Sequence, residues 1–92
     1  MILNANTVAQ KYPRAFTQWT RISLQVRGGA TIFIAKDQGE AANQNDGMQL
    51  TQANTNPPYD KWVIGDFWYS ANIDNSPLNM IIEGYADQYF HP

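Results

Sequence analysis

Residues 21–36 read RISLQVRGGATIFIAK, two short apolar runs separated by a glycine pair. In the first run Ile22, Leu24 and Val26 alternate with polar residues, the period-two pattern of a half-buried strand. In the second run Ile32 and Ile34 fall on one parity. The stretch therefore predicts a β-hairpin.

The length of the connecting loop decides which apolar side chains share a face. A three-residue loop of Arg27, Gly28 and Gly29 puts both apolar sets on the same side, whereas a two-residue glycine turn sends them to opposite sides. In the three-residue loop Gly29 takes a left-handed conformation, which glycine adopts without steric cost. The pairs predicted by this register are Val26 with Ala30, Leu24 with Ile32, and Ile22 with Ile34.

Further short strands are predicted near residues 7–10 and at 48–50, 61–64, 67–72 and 78–85, the last two as a second hairpin. Residues 37–47 are predicted to form a polar loop, with a short helix over 40–44 as the alternative. Short strands separated by turn signals are typical of a β-sandwich or small barrel. We expect one all-β domain, 1–92, a compact antiparallel β-sandwich of six or seven short strands, with an extended N-terminal arm (1–19), a core (20–86) and a tail (87–92).

The composition excludes several classes of function. The net charge is −2 and the charged residues are scattered, whereas nucleic acid binding needs a concentrated basic face. No stretch approaches the ~20 apolar residues of a membrane span, and the N-terminus lacks a signal-peptide pattern. The chain has no cysteine, so it has neither disulfides nor thiolate metal sites. Only 15% of the residues are charged and 13% are aromatic, a composition suited to contact with other protein subunits or with sugar.

The sequence predicts no enzyme and no cofactor. The single histidine, His91, is the penultimate residue, a poor position for a catalytic base. The carboxylates Asp60, Asp66 and Asp74 lie at loop ends, where aspartate commonly caps turns. No metal ligand is assigned, because the oxygen-rich loop does not match an EF-hand; whether it holds a cation is left open. Its candidate ligands are Asp37, Glu40, Asn43, Asn45 and Asp46.

The high content of aromatic side chains is the most distinctive feature of this sequence. If Phe67 and Tyr69 face inward, the pleat turns Trp68 outward, where it is expected beside Trp62 on a neighbouring strand. Exposed tryptophans on a sheet form a recognition surface for sugar rings or for another protein. The alternative is that both sheet faces are covered and these tryptophans belong to the core.

The order of features resembles that of small virion proteins of tailed bacteriophages, especially head-decoration or cement proteins and fibre-adaptor domains. The matching elements are VAQKYP, RISLQV, the glycine turn into ATIFIAKDQ, DGMQL, KWVIGDFWYSAN and PLNMIIEGY, which together span residues 7–86. The loop at residues 51–59, with its Pro-Pro pair, and the aromatic tail depart from the usual pattern.

This resemblance implies a non-enzymatic capsid decoration or cement protein that binds and stabilises the capsid of a virion assembled in the host cytoplasm. The implied partners are the major capsid protein or other virion proteins, and the chain itself as a homo-oligomer, with a trimer as one candidate symmetry. The alternative is a carbohydrate-binding module or receptor-binding fibre component that uses exposed aromatics. The expected interface residues are Ile2, Leu3, Val8, Tyr12, Trp62, Trp68, Tyr89 and Phe90.

Overall fold

Two four-stranded antiparallel sheets pack face to face in the computed structural model, which describes residues 1–42 and 48–85. The predicted all-β sandwich is confirmed. The first sheet has the strand order β1-β8-β3-β6 and the second has the order β2-β7-β4-β5. The strands are β1 (Ile2–Ala5), β2 (Gln10–Lys11), β3 (Phe16–Val26), β4 (Ile32–Ala35), β5 (Met48–Leu50), β6 (Tyr59–Gly65), β7 (Trp68–Ala71) and β8 (Ser76–Tyr85).

The core lies between the two sheets and is built by the alternation seen in the sequence. In the second half of β3, Ile22, Leu24 and Val26 point away from solvent, because successive residues of a strand face opposite sides of the sheet. The facing strands supply the other half of the core. Its most buried apolar members are Ala5, Ile22, Leu24, Val26, Ile32, Ile34, Leu50, Ala71, Leu78 and Met80.

The predicted hairpin between β3 and β4 is wrong, because the two strands lie in different sheets. Both edges of β3 are already paired: residues 22–24 bond to β6 on one side and to β8 on the other. β4 pairs instead with β5 and β7. Leu24 and Ile32 are both buried as expected, but they belong to opposite layers of the core rather than to neighbouring strands.

Residues 27–31 form the crossing between the sheets. The Arg27 N–H donates to the Pro77 carbonyl at 3.1 Å, which extends the pairing of β3 with β8. At the other end the Thr31 N–H donates to Asn72 Oδ1 at 3.0 Å. The expected left-handed Gly29 is not observed; among the described glycines only Gly65 has a positive φ, of 79°.

The N-terminal segment is not an arm outside the sheets, as the sequence predicted, but supplies an edge strand to each of them. β1 pairs with β8, and the Met1 amino group donates to the Met80 carbonyl at 2.9 Å. β2 pairs with β7, at the end of the strand predicted near residues 7–10. The described part of the chain therefore has eight strands rather than six or seven, since β1 is not among the strands predicted from the sequence.

The second predicted hairpin, between residues 67–72 and 78–85, is also wrong, because β7 and β8 lie in different sheets. A polar network holds the turn between them against the connection from β1 to β2. Asn75, with a φ of 60°, donates its N–H to Asn6 Oδ1 at 2.9 Å. Asp74 Oδ1 accepts hydrogen bonds from Thr7 N–H at 2.8 Å and from the Thr7 hydroxyl at 2.9 Å. Two crossings between the sheets are thereby tied together.

A short helix, α1 (Gln38–Ala42), replaces the first part of the predicted polar loop. It begins earlier than the alternative helix over 40–44, because Asp37 Oδ1 accepts the N–H of Glu40 at 2.8 Å and so caps its first turn. The buried hydroxyl of Ser70 donates to the Ala41 carbonyl at 2.6 Å and fixes the helix to β7. The rest of the predicted loop lies outside the described residues. The Pro-Pro loop contains a cis bond between Asn56 and Pro57.

We expect Gly65→Ala to lower the free energy of unfolding by about 1–2 kcal/mol, because a side chain at a positive φ is strained. The matched control is Gly29→Ala, whose added Cβ meets nothing within 4 Å and whose φ is not positive. We expect this control to change stability by no more than about 0.5 kcal/mol. Chemical denaturation measures both variants, and equal losses would contradict the assigned backbone conformation.

Stability is expected to fall in acid, partly through Asp74. The two hydrogen bonds from Thr7 lower the pKa of this carboxyl below its ordinary value of 3.8. A lowered pKa in the folded state gives stability that is fully present above about pH 3.8 and is lost as the pH falls through the folded value. Urea midpoints are measured from neutral pH to below pH 3.8. Over this interval the midpoint should decrease less for Asp74→Asn than for the wild type. An identical acid loss in both proteins would exclude this contribution.

Candidate functional site

A groove of about 450 Å³ opens along one side of the sandwich, between β6 of the first sheet and β4, β5 and α1 of the second. Its volume lies within the range of about 300–1,000 Å³ that is usual for ligand pockets. The lining residues are Trp19, Ile34, Ala35, Lys36, Glu40, Met48, Lys61, Trp62, Val63, Ile64, Asp66 and Phe67.

The groove follows the edge of β6 rather than one of its faces. Four consecutive residues, 61–64, contribute to the lining, and successive residues of a strand point to opposite faces. Val63 is buried toward the core, whereas Ile64 is 45% exposed on the outer face. An occupant of the groove would therefore lie beside the strand and contact side chains from both of its faces.

Two tryptophans from neighbouring strands, Trp19 of β3 and Trp62 of β6, line the groove together with the buried ring of Phe67. The inward orientation expected for Phe67 and Tyr69 is confirmed, since both are buried. The expected pairing of Trp62 with Trp68 is wrong, because Trp68 lies on β7 of the second sheet, between Lys11 and Ala35. The second tryptophan at the groove is Trp19.

The described lining residues of the groove include two positive and two negative side chains. Lys61 lies on β6 and Asp66 in the connection that follows it, whereas Lys36 directly follows β4 and Glu40 belongs to α1. These groups can donate and accept hydrogen bonds above an apolar and aromatic floor. The arrangement can thus hold a ring-shaped or extended ligand that is polar at its margins, and the charges of the described lining residues sum to zero.

The outer face of the first sheet, next to the groove, combines an ion network with exposed isoleucines. Arg21 contacts Asp60 at 2.7 Å and Glu83 at 3.7 Å. The hydrogen bond from Arg21 holds the pKa of the Asp60 carboxyl below its usual range. Ile64 and Ile81 are 45% and 50% exposed. This face therefore combines exposed aliphatic side chains with charged groups that are paired with one another.

The predicted interface residues are dispersed over the sandwich. Ile2 and Val8 are exposed, as a contact surface requires, but Leu3 is buried in the domain's own core. Tyr12 is half-buried and stacks on Phe16, with ring centroids 5.6 Å apart. Trp62 and Trp68 are half-buried, in different sheets. Tyr89 and Phe90 lie outside the described residues.

The carboxylates considered for catalysis have separate surroundings. Asp60 pairs with Arg21, Asp74 accepts from Thr7, and Asp66 lines the groove. Within residues 1–42 and 48–85, no three histidine, cysteine or acidic side chains are close enough to hold a metal ion. In the oxygen-rich loop for which a cation was left open, Asp37 caps α1, and Asn43, Asn45 and Asp46 fall outside the described part of the chain. His91 also falls outside it.

Sequence reasoning missed the groove itself. Trp19, Lys61 and Met48 meet only because β6 and β5 are edge strands on the same side of the sandwich, and the order of strands within a sheet leaves no local signature. The sequence signal that could have indicated a groove is the run KWVI at residues 61–64, which places large side chains on both faces of its strand.

Comparison with protein-family models, with curated proteins and with solved structures finds no match for this chain. Among the helices in the described ranges, none has the length and apolar character needed to cross a membrane.

Proposed function

We propose that this chain is a non-enzymatic structural protein of a bacteriophage virion, a decoration or cement protein that binds the capsid. The observation that carries the binding role is the outer face of the first sheet, where Ile64 and Ile81 are exposed around the ion network of Arg21. The assignment to a phage particle rests on the resemblance in the order of strands and turns.

The proposed partner is the major capsid protein or another virion protein. A specific contact needs roughly 1,600 Å² of total buried surface. The outer face of the first sheet supplies a continuous strip of four strands for such a contact. Exposed Ile2 on β1 lies in the same sheet, so part of the predicted interface belongs to this surface.

The test is co-sedimentation of the purified protein with undecorated heads of the phage that encodes it. We expect binding by the wild type and its loss in Ile81→Glu, which puts a charge on the outer face. The matched control is Ile73→Glu, because Ile73 is similarly exposed, at 58%, but lies in the turn between β7 and β8. Absence of the protein from purified particles together with failure to bind heads would refute the proposal.

A second candidate function, carbohydrate binding or receptor binding as a fibre component, is favoured by the groove. Trp19 and Trp62 offer apolar ring faces for stacking on sugar, and Lys36, Glu40 and Asp66 offer partners for hydroxyl groups. A glycan array gives the first test. Binding that is lost in Trp62→Ala but kept in Trp68→Ala would support it, and silence of the wild type on the array would count against it.

A further inference from the structure

The four sheet edges of the sandwich differ in length. Within the described residues, the edge strands β1, β2 and β5 have four, two and three residues, whereas β6 has seven. Proteins commonly protect their sheet edges by keeping edge strands short, since an open edge recruits another strand. β6 is therefore the edge best able to pair with a further strand.

We infer that β6 pairs antiparallel with β6 of a second copy of this chain, joining two four-stranded sheets into one continuous sheet across a two-fold axis. The inference deepens the proposed function by naming the self-contact of the predicted homo-oligomer. Among the described strands, β6 has one neighbour in its sheet, β3. Every second residue of an edge strand directs its N–H and C=O away from its neighbour. Another polypeptide strand is the ligand that matches this spacing of donors and acceptors.

Symmetry restricts the register of such a pair. Residues opposite each other must lie on the same face of the sheet. One residue of β6 must therefore lie opposite its own copy in the partner, and the two-fold axis passes midway between these two residues. Placing the axis at Trp62 pairs the whole strand, with Tyr59 opposite the partner's Gly65. It also sets Asp60 opposite the partner's Ile64, Lys61 opposite the partner's Val63, and Trp62 opposite the partner's Trp62.

The alternative registers are less favourable. An axis at Lys61 sets two lysines directly opposite each other, and like charges in that position are destabilising. An axis at Val63 shortens the pairing to five of the seven residues and brings Asp60 opposite the partner's Asp66. The register centred on Trp62 has no opposed like charges, forms an aromatic pair, and covers Gly65 with a tyrosine ring. The sequence of β6 thus selects one register.

The geometry of the groove agrees with this occupant. Because the groove lies along the edge of β6, the added strand fills it from the side and covers Met48, which is 44% exposed. The two-fold axis stands perpendicular to the joined sheet, so the outer faces of both copies point the same way. The dimer presents the proposed capsid-binding face twice on one surface.

The first test is sedimentation velocity of the purified protein over a wide range of concentration. We expect a dimer for the wild type and for Ile81→Glu. In Ile64→Glu two new like-charge pairs form, each with the partner's Asp60, and we expect the dimer dissociation constant to rise about tenfold or more. A wild type that is monomeric at every concentration or is trimeric, or an Ile64→Glu variant that dimerises like the wild type, would overturn the inference.

Cysteine cross-linking tests the register independently of the charge variant. Because the sequence has no native cysteine, a single introduced cysteine can form a disulfide only with its copy in the partner. Directly opposite residues have Cα atoms about 4.5–5.5 Å apart, within the range that a disulfide spans. We expect Trp62→Cys to form a cross-linked dimer under mild oxidation and Ile64→Cys, four residues out of register with itself, to remain monomeric on denaturing gels. The opposite result would exclude the register.

A variant that ends at Tyr85 separates edge pairing from a contact made by the tail. We expect it to dimerise, and its loss of the dimer would overturn the inference. Co-sedimentation with phage heads is scored separately, so a monomeric protein that binds heads refutes the dimer and leaves the proposed capsid function standing. A dimer that fails to bind heads refutes the proposed capsid function and leaves the dimer standing.

Discussion

Replacing Leu24 with alanine is expected to remove about 2–5 kcal/mol from the free energy of unfolding, which is enough to leave much of a domain of this size unfolded. Leu24 is fully buried, in the middle of β3. It pairs with Tyr59 on one side and with Met80 on the other, and it belongs to the core cluster between the sheets. A cavity at this position cannot be closed by movement of one strand alone.

The matched control is Gln25→Ala, the next residue of the same strand, which is half-exposed on the opposite face. We expect it to change stability by no more than about 0.5 kcal/mol. Equilibrium denaturation in urea, followed by tryptophan fluorescence, measures both. A small loss for Leu24→Ala, or an equal loss for both variants, would show that β3 does not bury the face assigned to it.

The second large effect is expected at Thr55, a fully buried threonine in the loop before β6. Its hydroxyl oxygen accepts the Val26 N–H at 3.0 Å, and the hydroxyl donates to the Thr51 carbonyl at 2.7 Å. Thr55→Val keeps the shape but leaves the Val26 N–H buried without this acceptor. We expect a loss of about 1–3 kcal/mol, the cost of an unsatisfied buried polar group.

Thr55→Ser retains the hydroxyl and loses one methyl group, so its cost should be about 1 kcal/mol. Hydrogen exchange distinguishes the two variants more sharply than stability does. The Val26 amide should exchange much faster in Thr55→Val, relative to other β3 amides, and stay protected in Thr55→Ser. Equal protection in both variants would show that the hydroxyl is not the partner of this amide.

The faces of the strands were predictable from the sequence, but their partners were not. Alternation assigned Ile22, Leu24, Ile32 and Ile34 correctly to the interior. The same alternation results whether two strands pair side by side or face each other across a core, because period two specifies a face and not a neighbour. The glycine pair favoured a tight turn, and long-range pairing of β3 with both β6 and β8 overrode it.

The candidate site was predictable only in its residue types. An aromatic cluster including Trp62 could be expected from composition, yet its neighbour Trp19 and the charged rim come from strands that are brought together by sheet order. Likewise Leu3 was predicted to be an interface residue on an arm. It is buried because β1 pairs with β8, where its partner Leu78 lies 75 positions further along the chain. Such pairings carry no local signal.

The place of β8 within the first sheet has a consequence for biosynthesis. β8 is the last of the described strands to be synthesised, yet it lies between β1 and β3 and bonds to both. β1 therefore cannot pair with β8 until almost the whole described chain has left the ribosome. Folding then requires the closure of long loops, which is slow in proteins dominated by non-local contacts. In a nascent chain that lacks residues 76–85, β3 can pair with β6 but β1 has no partner, so the first sheet is expected to be completed only after β8 has been synthesised.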